Sequence, residues 1–294
     1  MSNDNQKCAP MKKFEGGSCF TIDDLLRLSH GFNDYIKKHK INKKPITIFA
    51  SKKYLLKELI DRFKEECGDS QICILDQPFV KEINDETLVK NTFRPKGPQK
   101  KFDWLSTTNI DEVMEQYESI YPDFMYLGTV PIDFDDLPLG IKTLNFDELY
   151  NKKKYRLGII FNLDEHYKSG SHWIGLFANI KDSKIYFFDS FGVLPDKRII
   201  KFIIRIAKWC YKKHFNKNIS DTEILSAIKK NIKNNQVDIR YNTIQHQFKD
   251  SECGVYSLHF IIRMLEGINF DDLTENIIKD DKMNKNREIF FRHE

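Results

Sequence analysis

The sequence predicts an α+β fold with a mainly helical N-terminal region, on three observations. Amphipathic stretches at helical spacing dominate the first part of the chain. Short β-branched and aromatic runs then alternate with longer helical patterns. Between the two lies Phe93-Arg-Pro-Lys-Gly-Pro-Gln-Lys-Lys101, whose prolines, glycine and basic residues read as a boundary. The expected division is 1–92 as a helical extension, 93–101 as a linker and 102–294 as the second domain. A chain of 294 residues, 40% hydrophobic and 13% aromatic, can bury a sizeable core, which excludes whole-chain disorder despite 31% charge.

In the N-terminal region Ile22, Leu25, Leu26, Phe32 and Ile36 recur at helical intervals, and Leu55, Leu56, Leu59, Ile60 and Phe63 repeat the pattern. A third helix is expected over 80–89, with short strands at 46–49 and 72–75. After the boundary, Trp104-Leu105-Ser106-Thr107-Thr108-Asn109 offers helix caps, and Ile110, Val113, Met114 and Tyr117 follow on one face. Strands are expected at 156–163, 173–180 and 184–188, the last two joined as a hairpin through Lys181-Asp182-Ser183. A long helix over 196–215, another over 221–232, a strand at 237–242 and an apolar helix over 253–265 complete the pattern.

Forty-seven Lys plus Arg against 43 Asp plus Glu leave +4, too little to draw nucleic acid or membranes by net charge. Basic clusters at 37–44 and 208–217 are compatible with acidic partners or nucleic acid, but solvated helix faces look the same and are commoner. Six irregularly spaced cysteines do not suggest a disulfide scaffold and favour a reducing compartment. There is no Cys-x-x-Cys, no His-Glu-x-x-His and no phosphate loop, so neither metal nor cofactor is expected. The chain starts on acids and amides, and its most apolar stretch, 199–210, is interrupted by Lys201, Arg205 and Lys208. The expectation is a soluble intracellular protein without membrane insertion.

Four positions carry chemistry when taken together: His172 at the entry to the hairpin, Asp189 at the end of its second strand, Gln247 in a loop, and Cys253 opening a helix. First-turn N–H groups and the helix dipole favour a thiolate at Cys253. His172 and Asp189 fall at the same open end of the hairpin, where a carboxylate can orient an imidazole. The Gln247 amide can join the Cys253 backbone N–H in holding an oxyanion, and Gly254 would let substrate approach closely. Singly, a buried Cys is more often a small hydrophobe, Asp189 a turn cap and Gln247 a plain loop residue. His166, in a loop without a matching acid, and His246 and His259 read as surface or core residues.

The order His, Asp, Gln, Cys, with His172-Trp173-Ile174-Gly175 and Gln247-Phe-Lys-Asp-Ser-Glu-Cys253-Gly254, resembles the ubiquitin-like-protein-specific (SUMO-type) and adenovirus-type cysteine protease superfamily. Asn109-Ile-Asp-Glu112, Pro95-Lys-Gly-Pro98 and Glu252-Cys253-Gly254 make it most like the structural-protein processing proteases of large cytoplasmic DNA viruses, such as African swine fever virus and the giant viruses. The resemblance implies a central mixed β-sheet flanked by helices. It also implies a thiol endopeptidase that cleaves after Gly-Gly-type sites with Cys253, His172, Asp189 and Gln247, without a cofactor. Trp104 and Trp173 would flatten the substrate's glycines in a tunnel, although Trp104-Leu105-Ser106-Thr107 departs from the family's Trp-Leu-Asn-Asp.

Implied partners are protein substrates with Gly-Gly-x sites and ubiquitin-like modifiers. The implied setting is maturation of viral structural proteins, in the virion or in viral factories of the host cytoplasm. The alternatives are removal of SUMO or ubiquitin from host proteins, acetyl transfer by the same cysteine, and an inactive diglycine-binding module. Gly16-Gly17, the only Gly-Gly in the chain, reads as a hinge, and for such an enzyme also as a self-processing site.

Overall fold

A computed structural model describes residues 6–100 and 102–292. The chain divides between Gly97 and Pro98 into two compact units, and Phe290 onward returns to the first. Arg292 accounts for the return: its backbone N–H donates to the Pro95 carbonyl at 3.0 Å, and its own carbonyl accepts from Gly97 at 3.1 Å. The second unit therefore ends at Ile289, short of the expected 294.

The first unit is built from α1 (Ile22–Lys38), α2 (Lys52–Arg62), α3 (Lys64–Cys67), α4 (Gln71–Leu75), α5 (Pro78–Ile83) and α6 (Glu86–Thr92). Thr21 and Asp24 form a capping box at the start of α1. Its apolar stripe meets α2 and α5, with Phe32 edge-on to Phe63 and Phe79. The helix expected over 80–89 is two helices, because Asn84 takes a left-handed conformation and Asp85 caps α6. Neither expected strand forms. Residues 72–75 lie in α4, capped by Ser70, while the backbone of Ile46 exchanges two hydrogen bonds with the Asn33 side chain instead of another strand.

Four cysteines pair within this unit, Cys8 with Cys19 and Cys67 with Cys73, against the expectation of free thiols. The folded backbone brings together residues whose spacing carries no disulfide pattern. Gly16 and Gly17 form a closed turn with positive φ, bridged by Glu15 and Ser18, and Gln71 donates to the Gly17 carbonyl. This is not an open hinge.

The second unit runs α7 (Thr107–Ile120), β1 (Phe124–Pro131), α8 (Phe146–Asn151), β2 (Arg156–Asn162), β3 (Trp173–Asn179), β4 (Lys184–Phe188), α9 (Lys197–Phe215), α10 (Asp221–Lys230), β5 (Asp238–Tyr241), α11 (Cys253–Leu265), α12 (Phe270–Glu275), α13 (Asp280–Asn284) and α14 (Arg287–Phe290), whose last residue already belongs to the first unit. The five strands form one mixed sheet in chain order. Its outer pairs, β1 with β2 and β4 with β5, are parallel, and its inner pairs are antiparallel. Leu157, Ile159, Phe161, Leu176 and Phe187 face a core shared with α9 and α10. On the opposite face α11 lies against β3, with Phe260 stacked on Phe188 at 5.3 Å. The amphipathic α9 and the almost wholly buried α11 thus cover the two faces, which fixes the ends of β3 and β4 relative to the start of α11.

Among the described residues no helix is long and apolar enough to cross a membrane. Several lysines of the two basic clusters are ion-paired: Lys38 with Glu82, Lys43 with Glu66, Lys208 with Asp221 and Lys213 with Asp147.

Candidate active site

His172 immediately precedes β3 and Asp189 immediately follows β4, so the antiparallel pairing of these strands sets the two side chains side by side. His172 Nε2 lies 2.7 Å from Asp189 Oδ1, and both residues are almost fully buried. The same carboxylate oxygen accepts the Phe191 backbone N–H at 2.8 Å, and the Phe191 ring stacks on the imidazole at 4.4 Å. Asp189 is held at its backbone as well. Asn242, just beyond β5, accepts from its N–H at 2.8 Å and donates to its carbonyl at 2.7 Å.

Cys253 is the first residue of α11 and is buried. Burial lowers the affinity of His172 for a proton, but its hydrogen bonds to Asp189 and Cys253, and the charges on both, outweigh burial and raise its pKa to about 9. With Nε2 engaged by Asp189, Nδ1 is the ring nitrogen left for the thiol.

Gln247 is completely buried and clamped. Its Oε1 accepts from the Ser190 hydroxyl at 2.7 Å, one amide hydrogen goes to the Lys249 carbonyl at 2.6 Å, and its backbone N–H donates to the Ser190 carbonyl at 2.9 Å. That leaves one amide hydrogen for an external acceptor.

Trp104 and Trp173 line one cleft of about 540 Å³, together with Ser106, Asn162, His166 and Gly170. Trp104 is half exposed, whereas Trp173 is buried and its indole N–H donates to the Leu105 carbonyl at 2.9 Å. Gly254 packs closely against another residue of the chain. A Cβ there would come within 3.1 Å of the Leu105 side chain, so the glycine makes room for Leu105 against α11. His166 does have an acid, since its Nδ1 lies 2.6 Å from Asp133 Oδ2, but the pair is exposed and away from Cys253 in the hydrogen-bond pattern. His246 bonds the Thr274 carbonyl, and burial pushes His259 down to about 4, leaving both as core residues.

The family model for the C-terminal catalytic domain of Ulp1 proteases matches residues 148–293. Over 301 aligned residues the chain is 35% identical to a protein of Acanthamoeba polyphaga mimivirus named as a thiol protease, with 98% of this chain and 93% of that protein covered. The chain belongs to the Ulp1 protease family. It is 24% identical to the SUMO-1 cysteine protease of an African swine fever virus isolate, over 78% of this chain and 85% of that one. The crystal structure of an African swine fever virus protease has the same fold, with a TM-score of 0.63 at 20% identity over 98% of this chain and 96% of that one. This member is therefore a cysteine peptidase with a mixed sheet between helices and viral relatives. His172, Asp189, Gln247 and Cys253 lie inside the residues matched by the family model, and Trp104 lies outside them.

Asn242, Ser190 and Phe191 hold the site together and were not found by sequence reasoning. Ser190 and Phe191 directly follow Asp189, and that adjacency is the one signal that marks them. Among the described residues no group of His, Cys, Asp or Glu is arranged to hold a metal ion.

Proposed function

We propose that this peptidase is a thiol endopeptidase that cleaves after Gly-Gly-type sites and matures viral structural proteins. His172 Nδ1 takes the Cys253 proton, giving a thiolate and an imidazolium whose charge Asp189 balances. The thiolate attacks the carbonyl carbon of the second glycine, and the oxygen's negative charge is met by the free Gln247 amide hydrogen and the Cys253 backbone N–H. The imidazolium then gives its proton to the leaving amine, and water, deprotonated by the same ring, releases the acyl group. The observation that carries this reading is the buried 2.7 Å pairing of His172 with Asp189 beside a cysteine at a helix start. Trp104 and Trp173 on one cleft support selection of glycine, because side-chain-free residues pass most easily between aromatic walls.

The name of the African swine fever virus relative, SUMO-1 cysteine protease, supports a second reading, action on SUMO-like modifiers, which uses the same catalytic groups. The test is covalent labelling of Cys253 by an electrophilic Gly-Gly peptide, by an electrophilic ubiquitin-like probe and by acetyl-CoA, alongside peptidase assays of Cys253→Ala. Labelling by the peptide, with activity lost in a folded Cys253→Ala, supports endopeptidase action. Labelling by the modifier probe alone favours the second reading. Acetylation alone, or turnover by Cys253→Ala, overturns both.

A further inference from the structure

Arg287, at the start of α14, is 1% exposed, the largest fully buried side chain among the described residues. One terminal nitrogen donates to the Ser251 carbonyl at 2.8 Å, two residues before Cys253. Its Nε and the other terminal nitrogen are buried with no hydrogen-bond partner among the described residues. Burying a guanidinium so incompletely bonded costs several kcal/mol unless opposite charge lies close by. Burial lowers its proton affinity on balance, and the charges of Glu252, Cys253 and Asp103 offset part of that loss. Glu252 is itself 1% exposed, and its carboxylate is bonded to the Ser251 N–H and hydroxyl.

We propose that Arg287 is a positioning residue for the nucleophile: it fixes the turn that presents Cys253 and supplies a buried positive charge that favours the thiolate. This rests on Cys253 being the nucleophile. Two cations then act on the sulfur: the His172 imidazolium, formed when the neutral ring takes the thiol proton, and Arg287, which exchanges none. Glu252 and Asp103 oppose them, Asp189 balances His172, and Asp280, which accepts from Tyr256 on α11, is the acid presented by α13. His259, also on α11, is held neutral by burial and adds no charge. The arrangement gives the thiolate a counter-charge that survives loss of the His172 proton. A helix N-terminus alone would not provide one.

The test is the rate of Cys253 alkylation by iodoacetamide, read by mass spectrometry, in full-length wild type, Arg287→Gln, Arg287→Lys and Glu252→Gln. Arg287→Gln is expected to alkylate at Cys253 about tenfold more slowly at pH 6, a change of about 1.4 kcal/mol, and at the wild-type rate at pH 10, well above the ordinary value of a thiol. Arg287→Lys, which keeps the charge, is expected to restore most of the pH 6 rate. An unchanged pH 6 rate in folded Arg287→Gln, or equal losses in the Gln and Lys variants, overturns the charge assignment. Should Arg287→Gln not fold, Glu252→Gln decides: removing the opposing acid must raise the pH 6 rate, and a rate that stays or falls overturns the proposal. Failure of the nucleophile assignment looks different, because wild-type Cys253 would then alkylate slowly at pH 6 and Cys253→Ala would keep its peptidase activity.

Discussion

Replacing Asp189 by Asn removes one charge and little else. Asp189 Oδ1 already accepts two hydrogen bonds, from His172 Nε2 at 2.7 Å and from the Phe191 N–H at 2.8 Å, so an asparagine amide would keep its oxygen in that place. The geometry is preserved and the negative charge is lost. At an effective dielectric near 20, a unit charge about 4 Å away contributes about 4 kcal/mol, enough to move an imidazole by between two and three powers of ten in proton affinity. The His172 value of about 9 is then expected to fall toward 6.5, since only Cys253 is left to oppose burial once the carboxylate is gone. The assay is the pH profile of kcat/KM on a Gly-Gly peptide. The wild type should hold its activity until pH approaches about 9, whereas Asp189→Asn should lose it above about 6.5 and fall on the order of a hundredfold at pH 8. Stability follows the same group. A raised histidine stabilises the fold fully below its unfolded value of 6.5 and ceases to do so as pH climbs through about 9, so the wild type and not the variant should lose stability in that window. Superimposable profiles for folded wild type and Asp189→Asn would refute the reasoning and remove Asp189 from the relay.

The remaining predictions concern the cleft and its supports. Replacing either glycine of a model Gly-Gly-x substrate by alanine should lower kcat/KM about a hundredfold, on the order of 3 kcal/mol, and equal cleavage of the alanine peptides would remove Trp104 and Trp173 as a glycine filter. Gly192→Ala should destabilise the protein by about 2 kcal/mol and depress kcat, read by urea melts and peptidase assays. Gly192 has φ of 72° and an added Cβ would meet the backbone of Ile244 and Gln245 at 2.9 and 3.0 Å, just before Gln247, so a neutral result would show that this loop yields freely. Because Gly16 and Gly17 sit in a closed turn and Cys8 is bonded to Cys19, purified protein kept without reductant should retain its N-terminus. A new terminus at Ser18 in the wild type, absent from Cys253→Ala, would show that the turn opens enough to be cut.

What could be read from the sequence was set by how locally each feature is determined. His172, Asp189 and Cys253 of the proposed catalytic set sit at the ends of regular elements, and the elements themselves carry strong patterns: Leu176 and Phe187 in the hairpin, and the apolar run of α11 behind Cys253. An element end plus a reactive residue type is a local fact. The strand β1 was missed because its side chains do not alternate: Phe124 is buried, the next four residues are only partly so, and the register with β2 shifts between Tyr126 and Thr129. The helices α8, α12, α13 and α14 span six residues or fewer, too short for helical periodicity to stand out. The packing of Gly254 against Leu105 is hidden for a related reason, since the two are far apart in the chain.

Arg287 lies further still from what spacing can reveal. It ends the polar run Lys282-Met-Asn-Lys-Asn-Arg287, in which nothing distinguishes it from a solvated charge, and an arginine is ordinarily exposed. Its burial goes with the fold that brings it to the Ser251 carbonyl, 36 residues earlier in the chain. A buried cation persists only where something opposes its charge, and the groups that do so are Glu252, Asp103 and the Cys253 sulfur. The proposed reactivity of the cysteine therefore rests on two different kinds of information. The position of Cys253 at a helix start is written in its own neighbourhood. The field that acts on it is assembled from residues that meet only when the chain has folded.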